Sequence, residues 1–175
     1  MKTWIALFRG INVGGNNILA MAELKRNLES LNLSNVRTYI QSGNVVFDSV
    51  AKPRAERIAR RIEEQHGFRP HILLLSHEDL KAAIESNPFP RAVSDPKTLH
   101  FCFLAEPASN PDMGALDSVK TPTERFKLVN CVFYLHAPDG IGRSKLAANV
   151  ENRLGVVVTG RNYRTVDKLL SMVAQ

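Results

Sequence analysis

The chain is poor in cysteine. Only Cys102 and Cys131 occur among 175 residues, too few for a disulfide framework at this length. Both fall in apolar, β-rich runs, where a buried, reduced thiol is expected. Long apolar runs are missing too. None approaches the roughly 18 residues that a membrane-spanning helix needs. Arg9 interrupts the N-terminal apolar stretch, so residues 3–9 read as a strand and not as the core of a signal peptide. The five histidines, His66, His71, His77, His100 and His136, have no metal-ligand spacing with each other or with the cysteines, so no metal site is expected. No Ser-His-Asp, Cys-His or paired-carboxylate arrangement stands out, and no cofactor is implied. These absences lead to the expectation of a cytoplasmic protein with no membrane partner.

What is present is an excess of positive charge. The net charge is +6, which favours anionic partners and says nothing about fold. Residues 1–87 hold 12 Lys and Arg against 9 Asp and Glu, and residues 88–175 hold 11 against 8, so neither end is a basic tail. The densest basic stretch, residues 143–168, holds Arg143, Lys145, Arg153, Arg161, Arg164 and Lys168 against Glu151 and Asp167. The second expected helix carries Arg54, Arg57, Arg60 and Arg61. With Glu56 and Glu64 four residues from Arg60 on either side, it reads as a salt-bridged, solvated face and not as a nucleic-acid stripe.

Hydrophobic periodicity gives the order of elements. TWIALFR (3–9) is strand-like. INVGGNN is a turn, and Met21, Leu24, Leu28 and Leu31 mark one face of a helix. VRTYI (36–40) and VVF (45–47) form a hairpin around QSGN. Ala55, Ile58, Ile62 and His66 trace a second helix stopped by Gly67. HILLL (71–75) follows, and Ser76 with Asp79 caps a short helix ending near Asn87-Pro88. The pattern then restarts. HFCFL (100–104) is followed by a weak helix over 111–119, a hairpin of RFKLV (125–129) and CVFYLHA (131–137), a helix with Leu146, Val150 and Leu154, the short strand VVVT (156–159), and a last helix from Asn162. The fold class expected is α/β (α+β) with two tandem βαββαβ modules, each with a trailing helix. The modules span 1–87 and 98–175, and the proline-rich stretch 88–97 links them.

Five strings, LFRGINVGG (7–15), TYIQSGNVVF (38–47), NPF (87–89), GIGRSKL (140–146) and TGRNYRTVDKLL (159–170), resemble the signatures of the domain of unknown function 1697 family, in order over essentially the whole chain. Tyr163 stands where members of that family usually carry Trp, which keeps an aromatic. The resemblance implies ferredoxin-like repeats. It implies no activity, so the step from fold to function stays open.

Topology then suggests where polar motifs meet. With the usual strand order 4-1-3-2, the loop after the first strand and the following hairpin share one sheet edge. That edge would gather Arg9, Asn12, Asn16, Asn17, Gln41, Ser42 and Asn44, beside glycines whose backbone N–H groups could approach a ligand. In the second module the GIGRSK and TGRN segments both lead into helix N-termini at the opposite edge. Ser144, Lys145, Thr159, Arg161, Asn162 and Arg164 would then surround two partly positive helix starts. The competing reading of both clusters is structural, with asparagines and glycines building turns and Ser144 and Asn162 capping helices.

Three functions are therefore open. The first is binding of a phosphate-bearing or other anionic small ligand at the glycine-rich loops. The second is RNA or single-stranded nucleic-acid binding, since the element order is that of RNA-recognition modules and Phe101, Phe103, Phe133 and Tyr134 lie in the right strands to stack bases if exposed. The third is a phosphate-ester or acylphosphate hydrolase, since acylphosphatases share the topology and bind phosphate after the first strand. The downstream loop arginine of such enzymes is missing here.

Overall fold

The structure, a computed structural model, describes residues 1–174. Its first elements are β1 (Lys2–Arg9), α1 (Met21–Glu29), β2 (Ser34–Tyr39), β3 (Asn44–Ser49), α2 (Ala55–His66), β4 (His71–Ser76) and α3 (His77–Glu85). After a 3-10 helix at Pro90–Ser94 come β5 (Leu99–Leu104), α4 (Met113–Val119), β6 (Arg125–Val129), β7 (Val132–His136), α5 (Lys145–Leu154), β8 (Val158–Asn162) and α6 (Tyr163–Val173). The strands form two four-stranded antiparallel sheets, ordered β2-β3-β1-β4 and β6-β7-β5-β8. The chain is a mixed α/β protein of two tandem βαββαβ modules, each with a trailing helix. By contacts it divides into two units, one from Met1 to Lys81 with the segment from Leu169, the other from Ala82 to Lys168.

In the first unit the central strands β1 and β3 pair from Lys2↔Ser49 to Leu7↔Asn44. Alternation along them sends Ala6, Phe8, Val45 and Phe47 to the face covered by α1 and α2. They pack there with Leu24, Leu28, Ile58 and Ile62, all buried. Each such aliphatic side chain contributes about 1.5–3 kcal/mol through burial. α2 stops at Gly67, whose φ of 77° is left-handed and whose N–H closes the last turn on the Glu63 carbonyl.

The second unit repeats the scheme. β5 pairs with β7 from Leu99↔His136 to Phe103↔Val132. Cys102, Leu104, Phe133 and Leu135 face the helices and pack with Leu116, Leu146, Val150 and Leu154. The opposite face carries Phe101, Phe103 and Tyr134, also buried. Phe101 meets Tyr134 edge-on at 4.8 Å, and the Tyr134 hydroxyl donates to the Ala83 carbonyl at 2.6 Å. Both cysteines are free thiols. Cys102 is buried, and burial pushes its thiol up to about 12.

Two local expectations change. The strand expected over 156–159 lies later: β8 (Val158–Asn162) runs through TGRN, with Phe101↔Arg161 and His100↔Asn162 in register, and α6 starts at Tyr163. The strand expected to include Ile40 ends at Tyr39. Ile40 adopts φ 49°, a costly conformation for a β-branched residue, and opens the turn to β3. Within the proline-rich stretch, Pro90 starts the 3-10 helix, where its missing N–H removes nothing. Among the described residues no helix is long and apolar enough to cross a membrane.

Candidate functional site

The loop after β1 and the β2–β3 hairpin do meet. Asn12 donates to the Gln41 carbonyl at 2.8 Å and to the Leu19 carbonyl at 2.9 Å, and its Oδ1 accepts from the Leu19 N–H at 2.8 Å. Asn17 donates to the Gly10 carbonyl at 2.8 Å. Asn44, fully buried, donates to the Tyr39 carbonyl and the Ser42 hydroxyl, each at 3.0 Å. Gly43 has φ 83°, and a Cβ there would lie 2.6 Å from Ile11 and Phe8, so only glycine lets the hairpin close on the loop. Arg9 is half-buried at the end of β1, opposite His71.

The structure thus brings Arg9, Asn12, Gln41, Ser42 and Asn44 to one edge, but the Asn12 amide ties the loop to the hairpin and the Asn44 amide closes the hairpin on itself. The glycines form a turn and not a phosphate cradle. Val13 bridges Asn16 around Gly14 and Gly15, which have φ 58° and 76°, the left-handed pair of a two-residue hairpin. The surface left outside is partly apolar, with Val13, Ile18 and Ile40 half-exposed or more.

The second cluster separates. Ser144 Oγ accepts from the Ala147 N–H at 3.0 Å and caps α5. Asn162 Oδ1 accepts from the Thr165 N–H at 3.1 Å and caps the start of α6. Lys145 and Arg164 are exposed. Thr159 and Arg161 pair with Phe103 and Phe101 in β5 and so lie on their face, opposite the Cys102 face that α5 covers. Tyr163, the first residue of α6, lies 5.8 Å from Phe101 on that same face. The helix starts therefore share an edge but stand on opposite faces of the sheet. Burial lowers the Arg161 guanidinium to about 10, and one of its N–H groups donates to the Gly160 carbonyl.

A basic cleft forms elsewhere, where sequence reading found only a solvated helix. In the first unit, the segment from Ser49 to Arg54 and the turn at Leu31–Leu33 enclose about 440 Å³ at the start of α2. This is the end of the sheet where β1 begins and β3 finishes, as the Lys2↔Ser49 pair shows, so it lies opposite the glycine-rich loops. Lys52, Arg54 and Arg57 line it, and no carboxylate does. Among the described residues none of these three cations forms an ion pair. No side chain caps α2, since Arg54 stands at the N-cap position. The first amides of a helix lack intrahelical acceptors; here no Ser, Thr, Asp or Asn side chain supplies one, and only the Arg57 N–H turns back, to the Arg54 carbonyl at 3.1 Å. Glu56, the acid of the first turn, is engaged by Arg69 instead.

The expected salt bridging holds only in part of that helix. Arg60 pairs with Glu64 at 3.1 Å, whereas Arg57 faces the cleft. The sequence signal was available: three cations in six residues, Lys52 to Arg57, with no capping residue before the helix.

The four aromatics considered for base stacking, Phe101, Phe103, Phe133 and Tyr134, are all buried and offer no stacking platform. A sequence model for a family described as "Protein of unknown function (DUF1697)" matches residues 1–134. No curated protein matches the chain. Among solved structures, it is similar to the conserved bacterial protein SP0830 from Streptococcus pneumoniae, with 27% identity, 98% of each chain covered and a TM-score of 0.71.

Proposed function

Since the chain belongs to the DUF1697 family of proteins of unknown function, membership brings no activity with it, and we propose from the chain's own chemistry that it binds a phosphate-bearing or similar anionic small ligand in the cleft at the start of α2. The observation that carries this reading is the coincidence of an uncapped helix N-terminus with a cleft lined by Lys52, Arg54 and Arg57 and by no acid. Helix starts favour negative charge through their unpaired N–H groups and the aligned peptide dipoles. An arginine beside them can grip an oxyanion with two parallel hydrogen bonds. Leu31, Leu33 and Ile58 on the cleft wall suit a ligand with an apolar body behind its anionic head, and the volume is that of ordinary small-molecule sites. The free thiols of Cys102 and Cys131 fit a reducing, cytoplasmic setting.

Amide NMR titration with inorganic phosphate and with a phosphate monoester tests the reading. Saturable shifts should concentrate on Ala55, Glu56 and Arg57. Shifts centred on residues 10–18 or 140–147 would contradict it.

A further inference from the structure

In the second unit, the segment from Pro88 to Asp95 and the end of β7 enclose a second cavity, of about 500 Å³. Phe89 and His136 form two of its walls, with ring centroids 6.3 Å apart and planes tilted by 36°. Two charged groups of opposite sign, Arg91 and Asp95, line the same cavity and are exposed. Among the described residues, neither of their side chains, nor the His136 ring, has a hydrogen-bond or ion-pair partner.

The walls are fixed in advance. Asn87 Oδ1 accepts from the Phe89 N–H at 2.9 Å, and its Nδ2 donates to the Phe89 carbonyl at 3.4 Å. Backbone bonds then run without a gap from one wall to the other: Ala92 to Phe89, Asp95 to Ala92, Thr98 to Asp95 and Ala137 to Thr98, at 2.8–3.1 Å. Ala137 follows His136 directly. A cavity held this way needs little reordering to receive a ligand.

We propose that this cavity is a second small-molecule site, independent of the anion cleft, and that it takes a zwitterion with a flat apolar body, the chemistry of an aromatic α-amino acid. The ring lies against Phe89 and His136, where aromatic contacts are favourable in offset or tilted geometry. The carboxylate meets Arg91 and the ammonium meets Asp95. A simple anion gains from Arg91 but is repelled by Asp95, and a simple cation has the reverse problem. Only a ligand carrying both charges uses both groups.

Calorimetric titration of the full chain with phenylalanine, 3-phenylpropionate, phenethylamine and alanine separates these contributions. Phenylalanine should bind at least fivefold tighter than each of the others and should shift the His136 ring signals in NMR. Arg91→Ala should bring phenylalanine down to the level of phenethylamine, and Asp95→Asn to that of 3-phenylpropionate. Both residues are exposed, and thermal melting shows whether the variants keep the wild-type fold. Failure of phenylalanine to saturate the wild-type protein would overturn the proposal. So would binding that leaves His136 unmoved, or unchanged affinity in two folded variants.

Discussion

α2 and α5 hold the same place in their units. Each follows the third strand of its sheet, packs an aliphatic stripe against that sheet and ends on a left-handed glycine, Gly67 or Gly155. Their first turns differ. α5 begins with Ser144 accepting from the Ala147 N–H. α2 begins with Arg54, has no side-chain cap and opens onto a cleft lined by three cations. The comparison teaches that a missing cap can be more telling than a glycine-rich loop. At α5 the protein's own hydroxyl accepts from the Ala147 N–H, whereas at α2 no side chain takes that place and the matching Arg57 N–H turns back to the Arg54 carbonyl.

The largest expected effects concern what the helices share. Ile62→Ala in α2 and Leu146→Ala in α5 remove side chains with no exposed surface and should each cost about 2–5 kcal/mol in chemical denaturation. A loss below about 0.5 kcal/mol for either would mean that the two helices are not anchored alike. The next effect concerns what they do not share. Ser144→Ala should cost about 1 kcal/mol, whereas Arg54→Asp should add about 1 kcal/mol by supplying the absent cap. Equal and negligible changes at both sites would erase the contrast.

Both units should lose stability in acid, the second because burial lowers the His100 imidazole, but the alkaline limb should belong to the second unit. In the second, burial pushes the Cys102 thiol and the Tyr134 phenol each up to about 12. Their native neutral forms are favoured, so this stability is complete below their unfolded values, near 8.5 and 10, and is lost as pH rises from there toward 12. In the first unit, hydrogen bonds from Asn35 and Thr3 hold the Asp48 carboxyl below its usual range. That contribution is present above the ordinary carboxylate value and is lost as pH falls below about 4. Cys102→Ala should therefore flatten the alkaline limb of stability against pH, and Asp48→Asn the acid limb. Exchanged or absent effects would break the assignment. The smallest effect is expected at Arg60, whose pairing with Glu64 is exposed. Arg60→Ala should change stability by less than about 0.5 kcal/mol.

The fold was readable because periodicity and turn chemistry agree. Leu24 and Leu28, Ile58 and Ile62, and Leu146, Val150 and Leu154 each sit on one helical face and are buried there, while Gly67 stops its helix where expected. The strand order then put Asn12 beside Gln41, as observed. What could not be read was where donors are used up. Asn12 and Asn44 look like ligand donors in sequence, yet Asn12 bonds the neighbouring hairpin and Asn44 its own turn. Nor was the side of the sheet visible. Arg161 and Lys145 were placed at one edge, but strand alternation through β8 sends Arg161 to the face opposite α5, and that depends on β8 continuing through Gly160. The α2 cleft was missed because its arginines suggest i,i+4 ion pairing, which Arg60 obeys and Arg57 does not.

The most direct test of the central claim is phosphate affinity, measured side by side for the wild type, Arg57→Ala and Lys145→Ala. Both variants lose one positive charge near the start of a second-position helix, so general electrostatics affects them alike. The account predicts a roughly tenfold or greater loss for Arg57→Ala, the scale of a charge-assisted hydrogen bond, and almost none for Lys145→Ala. Equal losses, or a larger loss at Lys145, would contradict it.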